Sequence, residues 1–236
     1  MKSYQLYGID EFPTLRLGGV DVTQNQLTLW GHQEEIQTRL KFFQKDVAGF
    51  EVWKVESKIP VRVFGIIKFW DSRENQIVER DFHEYLRPVE FYAYVHREDK
   101  FVMFRETKKV CRGVFEHIKK KSDTIALREK RVDFSLLRAR TKKYSAAWFK
   151  KVSANIHAEG LTGDGVEDDP RFKELVAYAP LSSLTVKFKL FDADHRIQIT
   201  RDAAVVLVQQ YESEKTELEL VLEFKRAILQ NVWKDK

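Results

Sequence analysis

Hydrophobic and polar positions change period several times along the chain, and each period predicts an element. The opening YQLYGI, residues 4–9, reads as a short strand. Over residues 33–47, Ile36, Leu40, Phe43 and Val47 recur at steps of four, three and four, which predicts one face of a helix. FEVWKVESKIPVRVFGIIKFW, residues 50–70, is rich in β-branched and aromatic residues. It predicts strands, two of them separated by Pro60. VEFYAYV and KFVMF flank the charged run HREDK and predict a hairpin over residues 89–105.

The segment KKVCRGVFEHIKKK follows. Val110, Cys111, Val114, Phe115 and Ile118 fall at helical spacing and predict a closing helix over 107–121. Its three C-terminal lysines suit the negative pole of the helix dipole. After residue 122, TIALREKRVDFSLLRAR fits strand and helix equally. YSAAWFKKVS predicts a helix over 144–156 with Tyr144, Trp148 and Val152 on one face. EGLTGDGVEDDP reads as a loop, and Asp169-Pro170 as the cap and first turn of a helix. LTVKFKLF and RIQIT alternate apolar with polar and predict a second hairpin over 184–200. AAVVLVQQ reads as a more buried strand, and residues 213–233 as a C-terminal helix. The fold class these elements predict is α+β: mainly antiparallel hairpins packed by amphipathic helices, in two sub-domains, 1–122 and 123–236.

Composition sharpens this. Of 236 residues, 43% are hydrophobic, with 17 Phe, 8 Tyr and 5 Trp, enough for a packed core. A single cysteine excludes an intramolecular disulfide and points to a reducing, cytoplasmic setting. The N-terminal residues show no apolar signal region, and runs such as AAVVLV fall far short of a membrane-spanning helix, so no membrane partner is expected.

The net charge is +5 but unevenly placed. Between Arg105 and Lys151 sixteen basic residues face five acids, a surplus of eleven, so the rest of the chain is net −6. The candidate binding residues are Arg112, Lys119, Lys120, Lys121, Arg128, Lys130, Arg131, Arg138, Arg140, Lys142, Lys143, Lys150 and Lys151. Lysine and arginine bind nucleic-acid backbones by displacing condensed counterions, and arginine grips phosphate with two bonds. Phe115, Phe134, Tyr144, Trp148 and Phe149 lie among these cations. Each fits an apolar stripe and reads as core.

Other chemistry is weaker. Asp46 followed by Glu56-Ser57-Lys58 meets the letter of a metal-dependent nuclease pattern, in which carboxylates hold a cation and a lysine steadies phosphate or water, with Glu51 as a spare acid. Glu79, Asp81 and His83 would share a strand face, and Asp164, Glu167, Asp168 and Asp169 crowd one loop. Turn and wet-face roles fit both groups better. No phosphate-binding Gly-rich loop, GxSxG elbow or HExxH pair is present. The sequence therefore predicts a non-catalytic component that binds DNA or RNA through a basic central surface, with no catalytic residue, metal or cofactor. The alternative is a structural or regulatory subunit docking on an acidic protein surface; the third is a metal-dependent nuclease.

Overall fold

A computed structural model describes residues 2–14, 19–27, 33–122, 124–141, 143–190 and 192–236. Its centre is β1, Lys2–Glu11. This strand pairs along one edge with β6, Phe101–Phe104, and along the other first with β12, Ala204–Leu207, and then with β7, Ala126–Val132. All three pairings are antiparallel.

On the β6 side the sheet continues through β5 (Gln76–His96), β4 (Phe50–Asp71), β3 (Gln33–Val47) and β2 (Gly19–Leu27). On the β12 side it continues through β11 (Ala193–Thr200), β10 (Leu181–Leu190), β8 (Tyr144–Lys150) and β9 (Ala158–Thr162). A short C-terminal strand, β13 (Trp233–Asp235), pairs with β7. Four helices accompany the sheet among the described residues: α1, Lys108–Lys121; α2, Phe134–Arg140; α3, Pro170–Tyr178; and α4, Glu214–Ala227. The fold is thus mostly antiparallel β with a minority of helix.

Strand alternation sends successive side chains to opposite faces, and the central strands bury both. On one face Tyr7, Trp53, Val55, Ala93, Val102 and Phe104 meet Val110, Cys111, Val114 and Ile118 of α1. On the other, Leu6, Val52, Tyr94 and Met103 join the cluster that holds Leu137 of α2, Leu175 of α3 and Leu218, Val221 and Phe224 of α4. Acids in the first turn of α4 tie it to this core. Glu217 is buried and accepts from the Tyr4 hydroxyl and the Lys2 ammonium, while Glu214 accepts from Tyr94 and Arg105.

Two segments expected as helices are strands. Residues 33–47 form β3 because their working period is two: Thr38 and Leu40 are buried and Phe42 packs beside them, whereas Phe43 is exposed. Thr38 hid this pattern, being a polar core residue whose hydroxyl shares a 2.6 Å hydrogen bond with Ser57. Residues 144–150 form β8, with Tyr144, Ala147 and Phe149 buried. The four-residue spacing of Tyr144, Trp148 and Val152 was coincidental, and Trp148 is a surface residue.

Pro60 does not divide β4. Among the described residues pairing with β3 ends at Arg39↔Glu56, so Pro60, paired with Leu86 of β5, lies where β4 has one edge without a neighbouring strand, a setting that tolerates proline. The ambiguous 126–140 stretch is strand followed by helix, the 159–170 loop contains part of β9, and the last helix ends at Ala227. The hairpins β5–β6 and β10–β11 form as their alternation predicts, as does α1. Asp169 caps α3 by accepting from the Arg171 and Phe172 amides.

Candidate nucleic-acid interface

The basic segment divides into two parts. Cations up to β7 are largely neutralised by distant acids. Arg128 lies 2.8 Å from Asp10 and 3.3 Å from Asp235, Lys130 also binds Asp235, and Lys108 binds Asp202. Hydrogen bonding from Lys130, joined by the charge of Arg128, holds the Asp235 carboxyl below the usual carboxylate range. Arg112 and Arg131 are exposed on α1 and β7. The side chains of Lys119, Lys120 and Lys121, like Lys142, lie outside the described residues.

The second part differs. From Phe134 to Ala158 the chain contains no acid and six cations: Arg138, Arg140, Lys142, Lys143, Lys150 and Lys151. None of the five that are described takes part in an ion pair among the described residues. Arg140 and Lys143 are exposed before the start of β8, and Lys150 and Lys151 at its end. Six strand steps separate Tyr144 from Lys150, roughly 20 Å. Arg138 and Arg140 belong to α2, whose buried Phe134 and Leu137 face the α4 side of the sheet. The thirteen predicted residues are therefore spread over α1, β7, α2 and β8, with the acid-free group concentrated at the α2–β8 end.

Between the two ends of β8 the sheet face is partly covered: Ser183 and Thr185 are buried on it, whereas Trp148 is exposed. Among the described residues the apolar cluster beneath α1 contains no residue of β8 to β12. Register places Trp148 beside Gly160 of β9 and Ser183 of β10, and Ala146 beside Thr162 and Thr185. Farther across, Thr185 meets Gln198 and Lys187 meets Arg196. Asp164 neutralises Lys187 at 2.6 Å. Trp148 is 44% exposed in this field of small and polar residues.

Gly160 makes the placement of Trp148 possible. A Cβ built on it would lie 2.7 Å from Cε3 and Cζ3 of the indole. The ring therefore rests on the β9 backbone, closer than any side chain would permit. Neither residue was identifiable from the sequence, where Trp148 read as core and Gly160 as loop. The only local signal was the indole standing directly before Phe149-Lys150 with a buried and a polar side chain in alternation.

The acids of the nuclease pattern do not act together. Asp46 accepts the Gly49 amide within its turn at 3.3 Å. Glu51 accepts from Arg97 and from the Trp53 indole N–H. Glu56 binds Lys54 at 2.8 Å, and that hydrogen bond holds its carboxyl below the usual range. Glu79 is paired with Lys68, Glu167 accepts the Tyr144 amide, and Asp169 is spent on its helix cap. His83 has a side chain outside the described residues. Among the described residues no three His, Cys, Asp or Glu side chains converge as metal ligands. Burial pushes the Cys111 thiol well above its ordinary range, leaving it protonated in the core.

One further surface stands out. Among the described residues β4 pairs from Lys58 outward with β5 alone, making a two-stranded arm about 40 Å long. Ile66, Lys68 and Trp70 share one of its faces with Asp81, Glu79 and Ile77. Ile66, Trp70 and Ile77 are 61%, 59% and 66% exposed. Residues 61–86 carry four cations and five acids, so the arm is close to neutral. Among the described residues no helix is long and apolar enough to cross a membrane. Comparison with protein-family models and with curated proteins finds no match for this chain.

Proposed function

We propose that this protein is a non-catalytic nucleic-acid-binding component. The observation that carries the reading is the acid-free run from Phe134 to Ala158, whose described cations make no ion pair. An unpaired cation is free to replace a phosphate's counterion, whereas one already tied to a carboxylate must first give up that partner. The cations at both ends of β8 thus contribute more than the paired ones on β7. The separate engagement of Asp46, Glu51 and Glu56 favours binding over cleavage.

The test is titration of labelled oligonucleotides at two salt concentrations, followed by anisotropy. The expected result is binding that weakens steeply from 50 to 200 mM salt, with a log–log slope of about 3 to 4 for four or five phosphates neutralised. Absence of binding at the lower salt would overturn the reading.

A second reading, a structural or regulatory subunit that docks on another protein, is favoured by the exposed apolar side chains of the arm. Its near-neutral balance suits an apolar protein surface better than an acidic one.

A further inference from the structure

We propose that the surface around the exposed Trp148 is a stacking platform for single-stranded nucleic acid. This assignment rests on the nucleic-acid reading above and adds the form of the ligand. Three features of the face converge on it.

The first is the indole itself. A large aromatic side chain left 44% exposed forgoes burial that Phe149, the next residue in the same strand, achieves completely. Isolated surface aromatics are ordinary, so exposure alone carries nothing. Here the ring is also held in place from below: Gly160 lets it lie against the β9 backbone at a separation that a Cβ would prohibit. The Ser182 hydroxyl donates to the Trp148 carbonyl at 2.9 Å and fixes the strand beneath it. One side of the indole is thereby spent on the protein, and the exposed remainder is preorganised to receive a flat partner.

The second feature is what surrounds the ring. Ala146, Thr162, Ser183 and Thr185 are small, so nothing bulky rises beside it on those strands. Ser183 is buried and accepts from the Gln198 amide at 3.0 Å, Thr185 is buried beside it, and Thr162 is the exposed hydroxyl next to the ring. A nucleobase stacks through its π-face while its edges and sugar remain able to hydrogen-bond.

The third is charge. Lys150 lies two residues from Trp148 on the same face, Lys151 follows, and Lys143 stands at the other end of β8. Arg196 lies farther across β10, where its charge is already felt by Asp164. A strand laid along β8 meets phosphate-binding groups on both sides of the indole. A duplex keeps its bases inside and offers this platform nothing beyond its backbone, which selects the single strand.

The experiment uses the full chain and a labelled 20-nucleotide single strand beside the matching duplex, with binding read by anisotropy at 50 mM salt. Trp148→Ala should weaken single-strand binding about 5- to 150-fold, the share of one base–aromatic stack. It should leave the salt slope and duplex binding unchanged. Trp148→Phe should retain most of the affinity. Gly160→Ala, which displaces the ring without removing it, should fall between them. The Lys150→Ala/Lys151→Ala pair should lower the single-strand salt slope by about 1.4. Unaltered thermal midpoints would separate these effects from misfolding.

If Trp148→Ala leaves single-strand binding intact while the lysine pair weakens it, the platform is refuted and nucleic-acid binding stands. Equal losses for strand and duplex also refute the platform. Absence of binding to either ligand by the unaltered protein removes the underlying reading itself.

Discussion

Trp70 and Trp148 are both exposed residues of antiparallel strands, at 59% and 44%, yet their settings have almost nothing in common. Trp70 lies on the arm directly across from Ile77, with Ile66 on the same face, and the surrounding charges nearly cancel. Trp148 lies among threonine, serine, alanine and glycine, and Lys143, Lys150 and Lys151 at the ends of its strand make no ion pair among the described residues. An apolar stripe suits another protein, whereas a lone ring in a polar, cationic field suits a flat, negatively charged ligand. Exposure of an aromatic residue says little until the residues across the ladder are known.

The largest expected effect tests the contrast within β8 itself. Phe149 is fully buried against Phe172, at a centroid distance of 5.9 Å. Phe149→Ala should cost about 3–5 kcal/mol of stability in urea denaturation. Trp148→Ala, one residue away, should cost clearly less, because 44% of the residue stays exposed in the folded chain and that part gains nothing from folding. Equal losses would return Trp148 to a core role and remove its availability to a ligand.

That contrast also shows where the sequence was legible. The hairpins β5–β6 and β10–β11, helix α1 and the Asp169 cap depend on neighbours within a few residues, and their patterns could be read locally. Strands β3 and β8 could not. Thr38 breaks the hydrophobic alternation of β3 although it is buried, and register shifts at Phe42/Gln44 and opposite Thr185/Val186 add residues that put the periods out of phase. The basic segment was visible as a surplus of charge, but its partial neutralisation was not. Lys108, Arg128 and Lys130 find Asp202 and Asp235 at separations of 94, 107 and 105 residues, which only the folded chain reveals. Gly160 acquires its meaning in the same way, from a residue on the neighbouring strand.

The next effect sharpens the distinction between the two tryptophans. Trp70→Ala removes a cross-strand pair with Ile77 worth roughly 0.2–1 kcal/mol. The loss should be confined to the arm, speeding amide exchange near residues 68–79 while the global denaturation midpoint remains in place. Oligonucleotide affinity should change less than about twofold. A tenfold loss of affinity would make the arm part of the nucleic-acid surface and abolish the division drawn above.

A comparison between paired and unpaired cations comes next in size. Lys150→Ala should reduce the salt slope of single-strand binding by about 0.7, one phosphate contact. Arg128→Ala should leave that slope unchanged, since its guanidinium already faces Asp10 and Asp235. Equal reductions would show that the acids beside β7 do not shield it from phosphate, and the interface would then extend across β1.

The smallest effect concerns pH and the end of β5 farthest from the arm's tip. His96 is buried beside Phe50 and Phe101, and its Nδ1 accepts the Asp99 amide at 3.2 Å. Burial, aided by the charges of Arg226 and Lys225, pushes the imidazole below its ordinary range, with Asp99 opposing. Its folded-state pKa therefore lies below that of the unfolded chain, and the unfolded state takes up the proton first. The contribution is full above about pH 6.5 and is lost as pH falls through the window below it. At Asp99 burial works against ionisation, but Arg226 and Lys225 overcome this and hold the carboxyl below its usual range. The Asp99–Lys225 contact to α4 therefore stays ionised between pH 7 and 5. Denaturation midpoints measured from pH 7 to 5 should fall gently, and His96→Gln should flatten that decline. A decline of the same slope in His96→Gln would assign it to other groups.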